Sequence, residues 1–369
     1  MKDISILFYD NDVLSLLHDP LFPSGGAAKQ IMAWTQGLMK IDVDVKIMGA
    51  HTEPGYFNNK PDIIVSYKQD KGIRIVRYIY IRIPGIIKGI IKSRATYIYY
   101  GVPGHIAGLL GLISRILRKK YILRISNDYL VDERYKKNKD IFRYYFYTLG
   151  FTFADYILCQ NKYQYERIRI KYPNKTHLLV NPYSGEIHRN ILPFDKRKYI
   201  SWVGIVQYKK NLPLLLKIAK ALPDIRFIIA GNVSSKADTK CKLALDELRQ
   251  LPNVLFLGFI KCEDVLRLLR ESFVLLNTSH YEGFSNTYLE AFSVGTPVFT
   301  LPRNDPGGVI KANELGYTYT DENDLTVAFY KLISDPEKYN YLSNNCIKYM
   351  KSNHDLIKQS YEFLEIIKQ

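Results

Sequence analysis

Two hydrophobic rhythms alternate along the 369-residue chain. Short runs rich in Ile, Val, Tyr and Phe read as strands. Longer stretches with apolar residues every three to four positions read as helices. ISILFY (4–9) is a first strand, followed by a loop and then by a helix from about Ala27. VDVKIMG (43–49), DIIVSY (62–67), TYIYYG (96–101), YILRIS (121–126) and FADYILCQ (153–160) continue as strands, with IAGLLGLISRILRKK (106–120) as a helix among them. A second series runs from YISWVG (199–204) through the helix LPLLLKIAKAL (212–222), IRFIIAGN (225–232) and the helix CKLALDELRQL (241–251). It goes on through VLFLGFI (254–260), the helix EDVLRLLRES (263–272), VLLNTS (274–279) and PVFTLP (297–302). Such alternation predicts an α/β fold of parallel sheets with helices on both faces. Between the two series, NPYSGEIHRNILPFD (181–195) holds two prolines and no apolar period, which marks a domain boundary. Two doubly wound domains result, and the cleft between them is the default ligand site.

Composition narrows the class. With 47% hydrophobic residues the chain can fill two cores. Four scattered cysteines, without a CxxC pair or a His/Cys cluster, suit a reducing compartment and exclude a disulfide framework or a structural zinc site. No stretch reaches about 18 uninterrupted apolar residues, and MKDISILFYD reads as a strand rather than a signal peptide. Charge changes the picture more. The formal net charge is +16, and residues 1–183 carry 28 Lys/Arg against 15 Asp/Glu. No acid lies between Asp70 and Asp128, an interval with twelve Lys/Arg. Basic surfaces meet nucleic acid, anionic lipid or phosphorylated substrates. In IRIPGIIKGIIKSR (81–94), ISRILRKK (113–120) and RYKKNKDIFRYYFY (134–147), apolar and aromatic residues interleave with the cations, which suits a surface resting on anionic lipid and equally a solvated face over core residues. No recognition motif for nucleic acid accompanies the charge.

The chemistry concentrates in HYEGFSNTYLEAFSVGTPV (280–298). SHYEGFS is the loop leaving a buried strand, Ser285–Asn286–Thr287 starts a helix, and Gly295 stops it. A helix start offers unpaired amides and partial positive charge, a seat for phosphate, and Gly283 lets a ligand approach the backbone. Glu290, one turn into the helix, can accept two hydroxyl hydrogen bonds, as from a ribose. Glu282 stands on the loop lip, placed for a second polar ring. A phosphate seat flanked by two hydroxyl-binding carboxylates describes a nucleotide sugar. Asp10-Asn11-Asp12 has the D-x-D form that can bind a divalent metal, but loop capping is the better reading of so short a match.

EGFSNTYLEAFSVGTPV resembles the E-x7-E signature of retaining glycosyltransferases of family four (glycosyl transferases group 1), which have the GT-B fold of two Rossmann-like domains. SWVGIVQYKKNLPLLLKIA, FIIAGN, NVLFLGFIKCEDVLRLLRES and PSGGAAKQIMAW resemble further segments of that family. The resemblance implies an acceptor-binding domain at 1–185, a nucleotide-sugar domain at 196–352, and a C-terminal helix at 353–369 returning to the first domain. It implies catalytic roles for Glu282 (on the donor sugar) and Lys210 (on the departing diphosphate). It also implies donor contacts from Gly25, Gly26, Gly204, Lys209, Gly283, the backbone of Phe284, Ser285, Asn286 and Thr287, and Glu290 on the ribose, with Leu257–Ile260 facing the base. Ile205 stands where the family usually has an arginine, and Lys209 is the candidate replacement. Ser126–Asn127–Asp128 stands where the family has a histidine, which leaves His105, Asn127 and Asp128 as acceptor-side candidates. The implied reaction moves a hexose from a UDP- or GDP-sugar to a glycan or lipid-linked acceptor, with retention and without a metal or other cofactor. Bacterial cell-surface polysaccharide or lipopolysaccharide assembly is the implied setting. With the basic first half, this places the protein in the cytoplasm, peripheral on the inner face of an anionic membrane and not on nucleic acid. The alternatives are a sugar-nucleotide-binding paralogue without turnover, a GT-B sugar-nucleotide epimerase and, more remotely, a basic nucleic-acid-binding protein.

Overall fold

The computed structural model describes residues 4–18, 26–50, 61–67, 73–102, 104–138 and 141–369. The chain divides into one unit formed by residues 1–184 and 355–369, and a second formed by 185–354. The first unit is built on seven parallel strands: β1 (Ser5–Tyr9), β2 (Asp44–Ala50), β3 (Asp62–Tyr67), β4 (Tyr97–Tyr100), β5 (Lys120–Arg124), β6 (Tyr156–Cys159) and β7 (Thr176–Leu178), in the order β3-β2-β1-β4-β5-β6-β7. The second has six parallel strands: β8 (Tyr199–Val203), β9 (Phe227–Ala230), β10 (Val254–Gly258), β11 (Ser272–Asn277), β12 (Val298–Thr300) and β13 (Gly316–Thr318), in the order β10-β9-β8-β11-β12-β13. These are the α/β sheets that the alternating pattern predicts.

Strand alternation sorts the first unit into two cores. Ile6 and Phe8 face the helices Asn11–His18, Gly26–Lys40 and Leu356–Lys368, burying Val13, Trp34 and Phe363. Leu7 and Tyr9 face the helices Ile83–Ser93, Ile106–Ile116 and Ile141–Phe153, burying Ile90, Leu110 and Tyr147. Trp34 and Phe363 meet at 5.1 Å between ring centroids. The Tyr97 and Tyr156 hydroxyls donate to the Ile367 carbonyl at 3.0 and 2.9 Å, tying the last helix to β4 and β6.

Local chemistry explains where elements depart from the sequence pattern. A helix occupies 11–18, where a loop is expected, because the Asp10 carboxylate accepts from the amides of Asp12 and Val13 and so caps it. The helix expected to reach Lys120 ends at Ile116, where the chain turns through left-handed Arg118 (φ 53°) into β5. In the second unit, Trp202, Leu215, Ile229, Leu248 and Phe329 fill the main core between the sheet and its helices.

Candidate functional site

The second sheet reverses its order between β8 and β11, so the carboxyl ends of these two adjacent strands mark its topological switch point. β8 delivers Gly204 and then, through the turn Tyr208–Lys210, two lysines. β11 delivers the run Asn277–Glu282. Glycine is required at 231, after β9, where the backbone comes against Gly204, whereas at 204 an added Cβ would meet only the flexible end of Lys210. A Cβ on Gly204 would stand 2.9 Å from Lys210 Cε, and one on Gly231 (φ +144°) would stand 1.9 Å from the Gly204 carbonyl oxygen.

The two loops converge on Glu282. Lys209 Nζ donates to Glu282 Oε2 at 2.7 Å, Lys210 Nζ donates to Oε1 at 2.8 Å, and Ser279 Oγ donates to Oε1 at 2.9 Å. The backbone is joined as well. His280 N donates to the Lys209 carbonyl at 2.8 Å. Thr278 Oγ1 donates to the Lys210 carbonyl at 2.7 Å and accepts from Trp202 Nε1 at 3.1 Å. Glu282 is only 5% exposed. Burial alone would push its carboxyl upward, but the two lysines outweigh that and hold it well below the usual carboxylate range. Two ammonium groups against one carboxylate leave the cluster net positive. Each ammonium has three donors, so both can engage a second anion while still holding Glu282.

Behind the cluster lies a buried polar layer. Asn277 Oδ1 accepts from Ser279 N at 3.1 Å, Tyr319 OH donates to the Asn277 carbonyl at 2.8 Å, and Asn304 Nδ2 donates to the Ser279 carbonyl. Ser279, Thr278 and Asn304 are the members that sequence reasoning misses. The only trace of the first two is the polar end of the VLLNTS run.

After Glu282 comes buried Gly283, then buried Phe284, whose ring meets His354 edge-on at 5.1 Å. The helix Asn286–Ser293 follows Ser285. The Ser285 side chain makes no capping bond and lies 2.9 Å from Thr287 Oγ1 instead, which leaves the helix-start amides uncovered by it. Glu290 sits half-buried in the same helix. Gly258 (φ 69°) ends β10, and its carbonyl accepts from Gly231 N at 2.7 Å. Of the glycines expected to face phosphate from the first unit, Gly26 opens the helix Gly26–Lys40, whereas Gly25 lies outside the described residues.

The three acceptor-side candidates have distinct surroundings. His105 precedes the helix Ile106–Ile116 and lies 5.4 Å from the Tyr78 ring. Asn127 accepts from Tyr129 N at 3.4 Å and caps a short turn. Asp128 is buried and accepts from Asn161 Nδ2 at 2.9 Å and Gln164 Nε2 at 2.8 Å, which makes it a fixed part of the fold. Asp10, of the D-x-D stretch, is committed to its helix amides. Among the described residues, no group of three His, Cys, Asp or Glu side chains could hold a metal. No helix among them is long and apolar enough to cross a membrane. An open groove of about 580 Å³ beside β13, lined by Lys311, Tyr317 and Lys338 among others, includes none of the Glu282 cluster.

Two α/β units, on parallel sheets of seven and six strands, are the architecture of the GT-B fold. The chain overlays the structure of Anabaena HepE, solved in complex with UDP, with a TM-score of 0.72, 16% identity, and coverage of 99% of this chain and 100% of that one. Residues 184–349 match the family Glycosyl transferases group 1, and this region belongs to it. Among curated relatives, the glycosyltransferase 1 domain-containing protein 1 of Xenopus tropicalis is 27% identical over 173 residues, 45% of this chain and 49% of that protein. The D-inositol 3-phosphate glycosyltransferase of Mycolicibacterium smegmatis is 33% identical over 138 residues, 36% of this chain and 31% of that protein. The chain thus spans at most about half the length of these curated relatives.

Proposed function

We propose that the protein is a glycosyltransferase that moves a sugar from a nucleoside diphosphate to an acceptor. One observation carries this reading: two lysines and a buried glutamate meet at the switch point of the second sheet, a few residues before the start of the helix Asn286–Ser293. Breaking a sugar–diphosphate bond builds negative charge on the leaving group. Lys210 and Lys209 meet that charge as it grows, and the backbone at 284–287 holds the phosphates. Lys209 takes the place of the arginine that Ile205 replaces. Glu282, fixed by both lysines, presents its carboxylate to hydroxyls of the donor sugar, and Glu290 takes the ribose. Gly204 lines the phosphates, and Leu257–Ile260 the base. The UDP in the HepE structure and the transferase names of the relatives support this assignment.

At finer grain, the donor is a UDP- or GDP-hexose and the product keeps its anomeric configuration. The lysines and helix amides do the electrostatic work of a metal, so none is needed. The acceptor is a glycan or lipid-linked glycan of cell-surface polysaccharide assembly, met by a protein lying peripherally on the cytoplasmic face of the membrane.

Thermal shift with UDP-, GDP- and ADP-sugars tests donor binding, because a ligand held only by the native state raises the melting temperature. One base class should stand out, and incubation with that donor should release the nucleoside diphosphate. Stabilisation by none of the three would overturn the reading. Binding without release, with or without membrane extracts, would make the protein a silent paralogue.

A further inference from the structure

Three of the helices packed on one face of the first sheet, Ile83–Ser93, Ile106–Ile116 and Ile141–Phe153, contain no aspartate or glutamate. Their inner sides are explained by the core, where Ile86, Leu110 and Tyr147 are buried against the strands. Their outer sides are not explained that way. Ile116 is 70% exposed, Phe142 55% and Tyr145 58%, with Leu112 and Leu149 also exposed. Lys88, Lys92, Arg115 and Arg143 stand exposed on the same three helices. The helices Ile106–Ile116 and Ile141–Phe153 touch closely. A Cβ on Gly108 would stand 3.3 Å from Leu149 Cβ, and one on Gly111 would stand 2.7 Å from Phe153 Cβ. Leu112 and Leu149 therefore lie along one seam. In the opposite layer of the same unit, the helix Leu356–Lys368 carries Glu362 and Glu365 among its lysines, as an ordinary solvated face does.

We infer that this outer layer is the surface by which the protein docks on an anionic lipid bilayer, its apolar ridge entering the headgroup region and its cations resting on lipid phosphates. The inference deepens the proposed membrane location by naming the face, and it stands apart from donor chemistry, which belongs to the second unit. Charge complementarity selects the occupant. Three neighbouring helices with cations, aliphatic and aromatic side chains and no carboxylate of their own suit a surface that is uniformly anionic and apolar beneath, and Glu133 and Glu166 on the adjoining helices Glu133–Asn138 and Lys162–Lys171 bound the patch. A protein partner would be met by charges of both signs, and a nucleic acid would gain nothing from exposed isoleucine and leucine.

The test is sedimentation of the full chain with vesicles of phosphatidylcholine alone or mixed with phosphatidylglycerol. Each cation near an anionic bilayer contributes about fivefold in partitioning, and screening acts within about 10 Å at 0.1 M salt. Lys88→Gln/Lys92→Gln/Arg115→Gln should lower partitioning to the mixed vesicles about 100-fold, whereas Lys217→Gln on an exposed site of the second unit should leave it unchanged. Ile116→Ser/Phe142→Ser should remove the part of binding that survives high salt. Far-UV circular dichroism and donor thermal shift keep folding and the donor site in view, so loss of vesicle binding with intact donor binding isolates this surface. Indifference of the wild-type chain to anionic vesicles at low salt, or equal binding by the triple variant, would overturn the inference. Capture of nucleic acid in place of vesicles would do so too.

Discussion

Each sheet reverses its strand order once, and each reversal carries a buried carboxylate close to the carboxyl end of a strand that borders it. In the first unit this is Asp10, after β1. In the second it is Glu282, beyond β11. Both are nearly inaccessible, yet they are held in opposite ways. Among the described residues the Asp10 carboxylate accepts from the amides of Asp12 and Val13, and burial, together with the nearby Asp12 charge, pushes its carboxyl up to about 6. Glu282 is equally buried, but two ammonium groups hold it far below its ordinary range. Burial therefore does not decide ionisation here; the partner does. The first arrangement suits a cap, whereas the second keeps a permanent carboxylate between cations that can still reach another anion.

Four expectations probe this contrast, in descending order of effect. Glu282→Gln removes the charge between two lysines and should destabilise the protein by about 4 kcal/mol, the scale for breaking a buried ion pair. Urea unfolding followed by circular dichroism measures this, and a loss under 1 kcal/mol would mean that pairing does not hold the loop. Asp10→Asn should act the other way. The native state holds the Asp10 proton more tightly than the unfolded chain does. Its effect therefore favours folding at low pH and is lost as pH rises from about 4 through about 6, costing about 3 kcal/mol at pH 7.5. The variant keeps a capping oxygen, so it should melt higher than wild type at pH 7.5 and equally at pH 4. Glu282 has the opposite sign. Its stabilisation is full above its unfolded value of 4.5 and fades as pH falls below that. Thermal melts of Glu282→Gln should accordingly approach those of wild type in acid.

Lys210→Ala should slow release of nucleoside diphosphate from the donor about 100-fold, about 2.7 kcal/mol of transition-state stabilisation, while leaving donor affinity closer to wild type. Near-normal turnover in Lys210→Ala beside a dead Lys209→Ala would exchange the roles of the two lysines. Glu290→Ala should weaken donor binding by about 2 kcal/mol in titration calorimetry, and unchanged affinity would remove it from the site.

The sheets were legible because buried parallel strands are written as continuous apolar runs, such as YISWV and SFVLLN. Glu282, Lys209 and Lys210 were legible as separate motifs. Their meeting was not, since the bonds span more than 70 residues and no spacing rule records a contact that the sheet order creates. Ser279 was invisible for a related reason, because a serine ending a strand looks the same whether it faces water or a carboxylate. The helix at 11–18 escaped because its stability comes from a single cap on a short segment. The helix at 141–153 was obscured by its aromatic residues, which are poor helix formers taken alone but are held by packing on the 106–116 helix.

The return of the last helix to the first unit has a consequence for how the protein is made. Phe363, Leu364 and Ile367 belong to the same core as Ile6 and Trp34, yet about 170 residues of the second unit are synthesised between the two parts. At about 5–20 residues per second, a ribosome needs roughly 10–35 s to cross that stretch. Through that interval one face of the first sheet waits with its tryptophan uncovered, while the second unit, continuous in sequence, can close first. The N-terminal half of the gene thus encodes the half of the protein that finishes folding last.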